Sequence, residues 1–93
     1  MILEVAILNI KEGFSAEFEI NFKKAETIIS SMKGYISHKL KKCIEVKDKY
    51  ILLVNWETLE DHEIGFRKSH EYKEWKTLLH HFYEPFPTVE HYK

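Results

Sequence analysis

Hydrophobic and polar positions alternate between two periods along this chain, and the switches between them define its elements. Residues 1–10, MILEVAILNI, are almost continuously apolar and rich in branched types, which predicts a strand buried on both faces. Lys11-Glu12-Gly13 is a turn, and Ser15 is the expected N-cap of a helix. In that helix Phe18, Phe22, Ala25, Ile29 and Met32 recur at steps of four and three, so they form one buried stripe. Gly34 suits a left-handed C-terminal position. Tyr35–Val46 reads as a second strand, Lys47-Asp48 as a hairpin turn and Tyr50–Trp56 as a third strand. Thr58-x-x-Asp61 resembles a capping box and opens a helical pattern running from Leu59 to Tyr83, with a bend or restart expected at Gly65 and Ser69. Its second half carries the stripe Tyr72, Trp75, Leu79 and Phe82. Pro85 and Pro87 end it, and Thr88–Tyr92 is a short last strand.

The order β-α-β-β-α-β is the ferredoxin-like split βαβ pattern within a single domain, residues 1–93. Right-handed crossovers give an α+β fold with an antiparallel sheet in the order 4-1-3-2. Both helices then cover one face. The central strands are apolar on both sides (Leu3, Val5 and Ile7 on one, Ile2, Ala6 and Leu8 on the other), so the second face calls for a second copy of the chain, sheet against sheet.

Composition narrows the setting. A net charge of −1 leaves no electrostatic footprint for nucleic acid. No apolar run approaches the ~20 residues of a membrane span, and Glu4 interrupts the apolar start before a signal-peptide core could form. Cys43 is the only cysteine, so no internal disulfide is available and a reducing, cytoplasmic location is expected.

Candidate chemistry concentrates at one end of the sheet. Five of the six histidines and both tryptophans lie between Trp56 and Tyr92. Antiparallel order brings Glu4, His38, Asn55, Trp56 and His91 to the end of the sheet where the second helix, with His62, begins. A two-residue hairpin loop would put His38 on the face of Asn55. A three-residue loop would put it on the face of Trp56 and align Ile36, Leu40 and Ile44 with Tyr50, Leu52 and Val54. The apolar match favours the latter. Glu4 on a central strand is either a general base paired with a histidine or a strand-end carboxylate. His38, His62 and His91 are candidates for the same proton chemistry. Trp56, Phe66 and Tyr72, with Asn55, are the expected cleft lining, the aromatic three as walls for a flat ligand or as core. His80 and His81 point about 100° apart and His62 and His70 are eight apart, so no helical metal chelate is predicted.

The element order, the Trp56-Glu57-Thr58 run and the stretch FRKSHEYKEW (residues 66–75) resemble the antibiotic biosynthesis monooxygenase-type domains of the dimeric α+β barrel group. The resemblance spans essentially the whole chain, and LLHHFYEPFPTVEHY is similar to one branch of small members. It implies a homodimer with a cleft between sheet and helices. It also implies, in some members, oxidation of quinols or aromatic polyketides with oxygen and no metal or flavin; other members bind and degrade haem. The haem-degrading pattern of Asn, Trp and His would fall on Ala6, Phe66 and Lys76, so haem is not expected here. The leading expectation is a cofactor-independent monooxygenase for a small electron-rich aromatic molecule. A non-catalytic binding or structural dimer is the alternative, and a haem-binding protein the third reading.

Overall fold

The computed structural model describes residues 1–93. Strand β1 (Ile2–Asn9) leads into helix α1 (Ser15–Ser30), then strands β2 (Tyr35–Lys42) and β3 (Lys49–Trp56). A π-helical segment (Asp61–Phe66) follows, then helix α2 (His70–Leu79), a 3-10 turn (His80–Phe82) and strand β4 (Val89–Tyr92). The sheet order is β2-β3-β1-β4, the expected 4-1-3-2 read from the other edge, and every neighbouring pair is antiparallel.

Alternation along the central strands decides what is buried. Glu4, Ala6 and Leu8 of β1 and Tyr50, Leu52, Val54 and Trp56 of β3 point under the helices and are all buried. They pack with Phe18, Phe22, Ala25 and Ile29 of α1 and with Trp75 and Leu79 of α2 into one core. Leu3, Val5, Ile7, Ile51 and Leu53 lie on the opposite face, which no element of this chain covers.

Several local expectations need correction. The helical pattern from Leu59 to Tyr83 restarts at Ser69, as expected: its backbone is extended and its hydroxyl oxygen accepts from the Tyr72 N–H, while the first half is π-helical rather than α-helical. Phe14, not Ser15, precedes the first turn of α1; the Ser15 hydroxyl donates instead to Asp48 in the β2–β3 connection. β2 ends at Lys42, so Ile44 and Val46 are exposed in the connection rather than paired. His38 opposes Val54 and Leu40 opposes Leu52, which puts His38 on the Trp56 face. A bulge between Tyr35 and Ser37 reverses the parity beyond that point and turns Ile36 out to solvent. Gly34 has φ of +84°, and a Cβ there would lie 2.1 Å from Asp61 Oδ2, so both conformation and space require glycine.

The last strand is built in two pieces, and this makes room for a cavity. Tyr83 bridges Ile10 and the Glu84 N–H donates to the Asn9 carbonyl, so the chain first runs beside the end of β1. It pairs again only where Val89 opposes Ala6. Four residues, 85–88, therefore span a stretch of β1 that two residues, Ile7 and Leu8, would match. Pro85 and Pro87 supply no N–H to the ladder, so the intervening chain bows away from β1.

Candidate active site

The bowed segment, β1 and the second helical region enclose a cavity of about 430 Å³. Ala6, Leu8 and Leu52 form its floor, Phe66, Tyr72 and Trp75 one wall, and His80, Tyr83 and Phe86 the far end. Glu4, His62 and Arg67 are its polar edge. Phe66 meets Tyr72 and Trp75 edge-on at 5.1 and 5.6 Å between ring centres. The ring of Phe86 lies 4.9 Å from that of His80. A mostly aromatic hollow with a few convergent polar groups suits a flat apolar molecule carrying one or two polar substituents.

Glu4 is held from two sides. The Trp56 indole N–H donates to its Oε1 at 2.9 Å, and His62 Nε2 lies 3.3 Å from the same oxygen. Trp56 stacks under His62 with 5.3 Å between ring centres and 21° between planes, so it orients both groups at once. The other nitrogen of His62, Nδ1, is 2.8 Å from Nε2 of His91, which arrives because β4 places His91 directly opposite Glu4. His91 Nδ1 in turn lies 3.8 Å from Glu63.

Burial dominates the electrostatics. Desolvation raises the Glu4 carboxyl above its usual range, opposed by the Trp56 hydrogen bond and the positive charge of Arg67. Desolvation lowers His62 to about 3, helped by Arg67 and His91. Glu4 is therefore a carboxyl that binds a proton more readily than usual, beside an imidazole that stays neutral. Burial also lowers His80 to about 4, leaving a neutral imidazole at the far end of the cavity. Tyr72 and Tyr83 are raised by burial and keep their phenol protons.

Arg67 is the only arginine of the chain, and no carboxylate pairs with it. In an α-helix it would point about 140° away from His62. The π-helical turn closes i to i+5, with the Arg67 N–H donating to the His62 carbonyl, and brings residue 67 round toward the azimuth of residue 62. This local widening, which no sequence period signals, puts a guanidinium at the cavity.

The structure thus brings together Glu4, His62, His91, Trp56, Phe66 and Tyr72, and separates two of the sequence-based candidates from them. His38 lies on the helix-covered face but on the outer strand. Its Nδ1 is 2.5 Å from the Tyr35 hydroxyl and its Nε2 3.0 Å from Glu26 of α1, across the core from Glu4. Asn55 points to the uncovered face, where its amide donates to Ser37. Trp56 is completely buried and lies behind the site rather than lining the cavity. Arg67, His80, Tyr83 and Phe86 were missed from sequence; only the His80–Phe86 run of rings carried a signal for them. Of the haem-pattern positions, Ala6 and Phe66 line the cavity, and Lys76 lies over the ring of Tyr72 at 5.8 Å. No group of three or more His, Cys, Asp or Glu side chains is placed to hold a metal ion.

The ferredoxin-like sheet thus carries a buried carboxylate–imidazole pair beside an aromatic cavity. The chain belongs to the antibiotic biosynthesis monooxygenase family, whose model matches residues 1–78. It is 63% identical, over its full length and 98% of the relative, to the uncharacterized protein YczJ of Bacillus subtilis. Its fold is similar to that of a Bordetella bronchiseptica protein assigned to the antibiotic biosynthesis monooxygenases, with 30% identity, 99% and 94% of the two chains covered and a TM-score of 0.95. At the level of fold alone it also resembles SnoaB, a cofactor-independent oxygenase from Streptomyces nogalater, with 19% identity, 98% and 87% coverage and a TM-score of 0.77. No helix is long and apolar enough to cross a membrane.

Proposed function

We propose that this protein is a cofactor-independent monooxygenase acting on a small electron-rich aromatic, a quinol or phenol, in the cavity beside Glu4. The observation that carries the reading is the pair Glu4–His62: a buried carboxylate and a neutral imidazole 3.3 Å apart, facing an aromatic hollow. A base with a raised pKa is matched to removing a phenol or quinol proton near neutral pH. The unpaired guanidinium of Arg67 at the polar edge stabilises the resulting anion. Phe66, Tyr72 and Trp75 hold the ring, and the enclosure excludes bulk water. The anion then supplies all the electrons that oxygen takes up, and one oxygen atom enters the product while the other leaves as water. Family membership and the likeness in fold to SnoaB support the reading.

The alternative of a non-catalytic or purely structural dimer predicts a cleft filled by its own side chains. Trp56 is packed in this way, but the space beside Phe66 and Tyr72 is open. The dimer itself forms part of the proposal. A second copy covers the face of Leu3, Val5, Ile7, Ile51 and Leu53, whose burial stabilises at ~25 cal/mol per Å², and this association takes place in the cytoplasm. The test is oxygen uptake in the presence of a chelator and the absence of flavin, with a series of benzo- and naphthoquinols and simple phenols. Uptake above the protein-free rate for at least one of them, with a single atom of labelled oxygen entering the product, supports the proposal. No uptake above that rate for any of them contradicts it.

A further inference from the structure

We propose that His62, His91 and Glu63 form a proton relay that connects the buried Glu4 carboxyl to solvent at the β4 edge. The inference rests on the oxygenase reading for its chemical purpose and on geometry for its existence. Glu4 Oε1, His62 and His91 are linked by contacts of 3.3 and 2.8 Å, and His91 Nδ1 is 3.8 Å from Glu63. The two imidazoles are hydrogen-bonded to each other through His62 Nδ1 and His91 Nε2, and the other nitrogen of each ring faces a carboxylate, at 3.3 Å for His62 and 3.8 Å for His91. Side-chain exposure is 8% for Glu4 and 4% for His62, then rises to 16% for His91 and 46% for Glu63, so the chain leads from a dry interior to water. Three separate elements, β1, the π-helical segment and β4, each supply part of it.

Burial is the chief cause that keeps both rings neutral. Arg67 disfavours a proton on both His62 and His91, while Glu63 favours one on His91 at the outer end. A proton taken from substrate by Glu4 passes to His62 Nε2 as His62 Nδ1 releases its own to His91 Nε2. His91 Nδ1 then gives up its proton to Glu63 or adjacent water. Both rings are left in the opposite tautomer. Oxidation of a substrate SH2 by O2 to SO and H2O consumes as many protons at the oxygen as it removes from the substrate. The protons therefore return by the same path, and the return restores both tautomers. The substrate alone supplies the four electrons, so the relay carries only protons.

His91→Gln keeps a hydrogen-bonding side chain opposite Glu4 but cannot pass a proton through itself. Turnover of the quinol accepted by the wild-type protein should fall by on the order of tenfold or more. KM should stay unchanged, the solvent deuterium effect on kcat should rise, and added imidazole should restore the rate. Unchanged kcat, or a loss that imidazole does not restore, would overturn the relay. A second readout needs no substrate. In nitrogen-15 spectra of the ligand-free wild-type protein, His62 and His91 should each carry a single proton at neutral pH. Glu63→Gln should lower the His91 titration and change the His62 tautomer. His62 ring signals indifferent to both Glu63→Gln and His91→Gln would overturn the relay. Absence of oxygen uptake by the wild-type protein would sink the oxygenase reading while leaving these spectra to decide the relay.

Discussion

Replacing His62 by Gln should change how stability depends on pH, by an amount set by its burial. In the folded protein His62 is lowered from 6.5 to about 3, chiefly by desolvation. Between those values the unfolded chain binds a proton that the folded protein does not, so stability falls as pH falls through this window. The whole window corresponds to roughly 5 kcal/mol at 1.36 kcal/mol per unit, an upper bound because a protonated ring would gain attraction to Glu4. From pH 7 to pH 5 the share is about 2 kcal/mol, a large part of the ~5–15 kcal/mol that holds a domain folded. Glu4 acts in the opposite direction: its raised pKa means that the folded protein holds the extra proton, so that stability falls as pH rises from 4.5 toward the raised value. Glu4 remains in the His62→Gln protein, so comparing the two proteins isolates the imidazole. At pH 7 the variant should be the less stable, having lost the 3.3 Å contact to Glu4 or the hydrogen bond to His91. At pH 5 the difference should shrink by about 2 kcal/mol, read as urea midpoints that converge by roughly 1–2 M. A stability difference unchanged between pH 7 and pH 5 would refute the claim that a buried, neutral His62 sets the acid limit.

Three further outcomes follow from the same geometry. Trp56→Phe keeps a ring beneath His62 but removes the N–H that donates to Glu4, so denaturant unfolding should show a loss of about 1.5–3 kcal/mol; the Glu4 pKa should rise further and carry the activity profile toward higher pH. Arg67→Gln should raise KM for a quinol on the order of tenfold, with the effect shrinking at high salt because the guanidinium is exposed; unchanged KM would remove Arg67 from the site. Leu53→Lys puts a charge on the uncovered sheet face opposite Val5, and sedimentation equilibrium should then show the 11.2 kDa monomer in place of the dimer.

Strand order and face were legible because they follow from few rules. A central strand whose even residues are Glu4, Ala6 and Leu8 must turn all three the same way, and antiparallel order then carries His91 to Glu4 and His62 to the same end. Parity also held the answer for Asn55, since neighbours on a strand cannot share a face and Trp56 is turned inward. His38 shows the limit of reasoning by sheet end. Its face was legible, but β2 is separated from β1 by β3, and that lateral distance hands it to Glu26 on α1. Features that break a period were marked at most by punctuation at Gly65, Pro85 and Pro87, which did not say what each break would do. The bulge after Tyr35 exposed Ile36, the π-helical turn brought Arg67 to the cavity, and the bowed 85–88 segment created the cavity itself.

In the proposed reaction Glu4 takes a proton from a bound aromatic. The direct measurement is oxygen uptake by Glu4→Gln with the best quinol for the wild-type protein, alongside tryptophan quenching to report binding through Trp75 at the cavity wall. Gln keeps an oxygen for the Trp56 N–H but cannot act as a base, so turnover should fall by ~10²-fold or more while quenching persists. A Glu4→Gln protein that consumes oxygen at the wild-type rate would show that Glu4 is not the base.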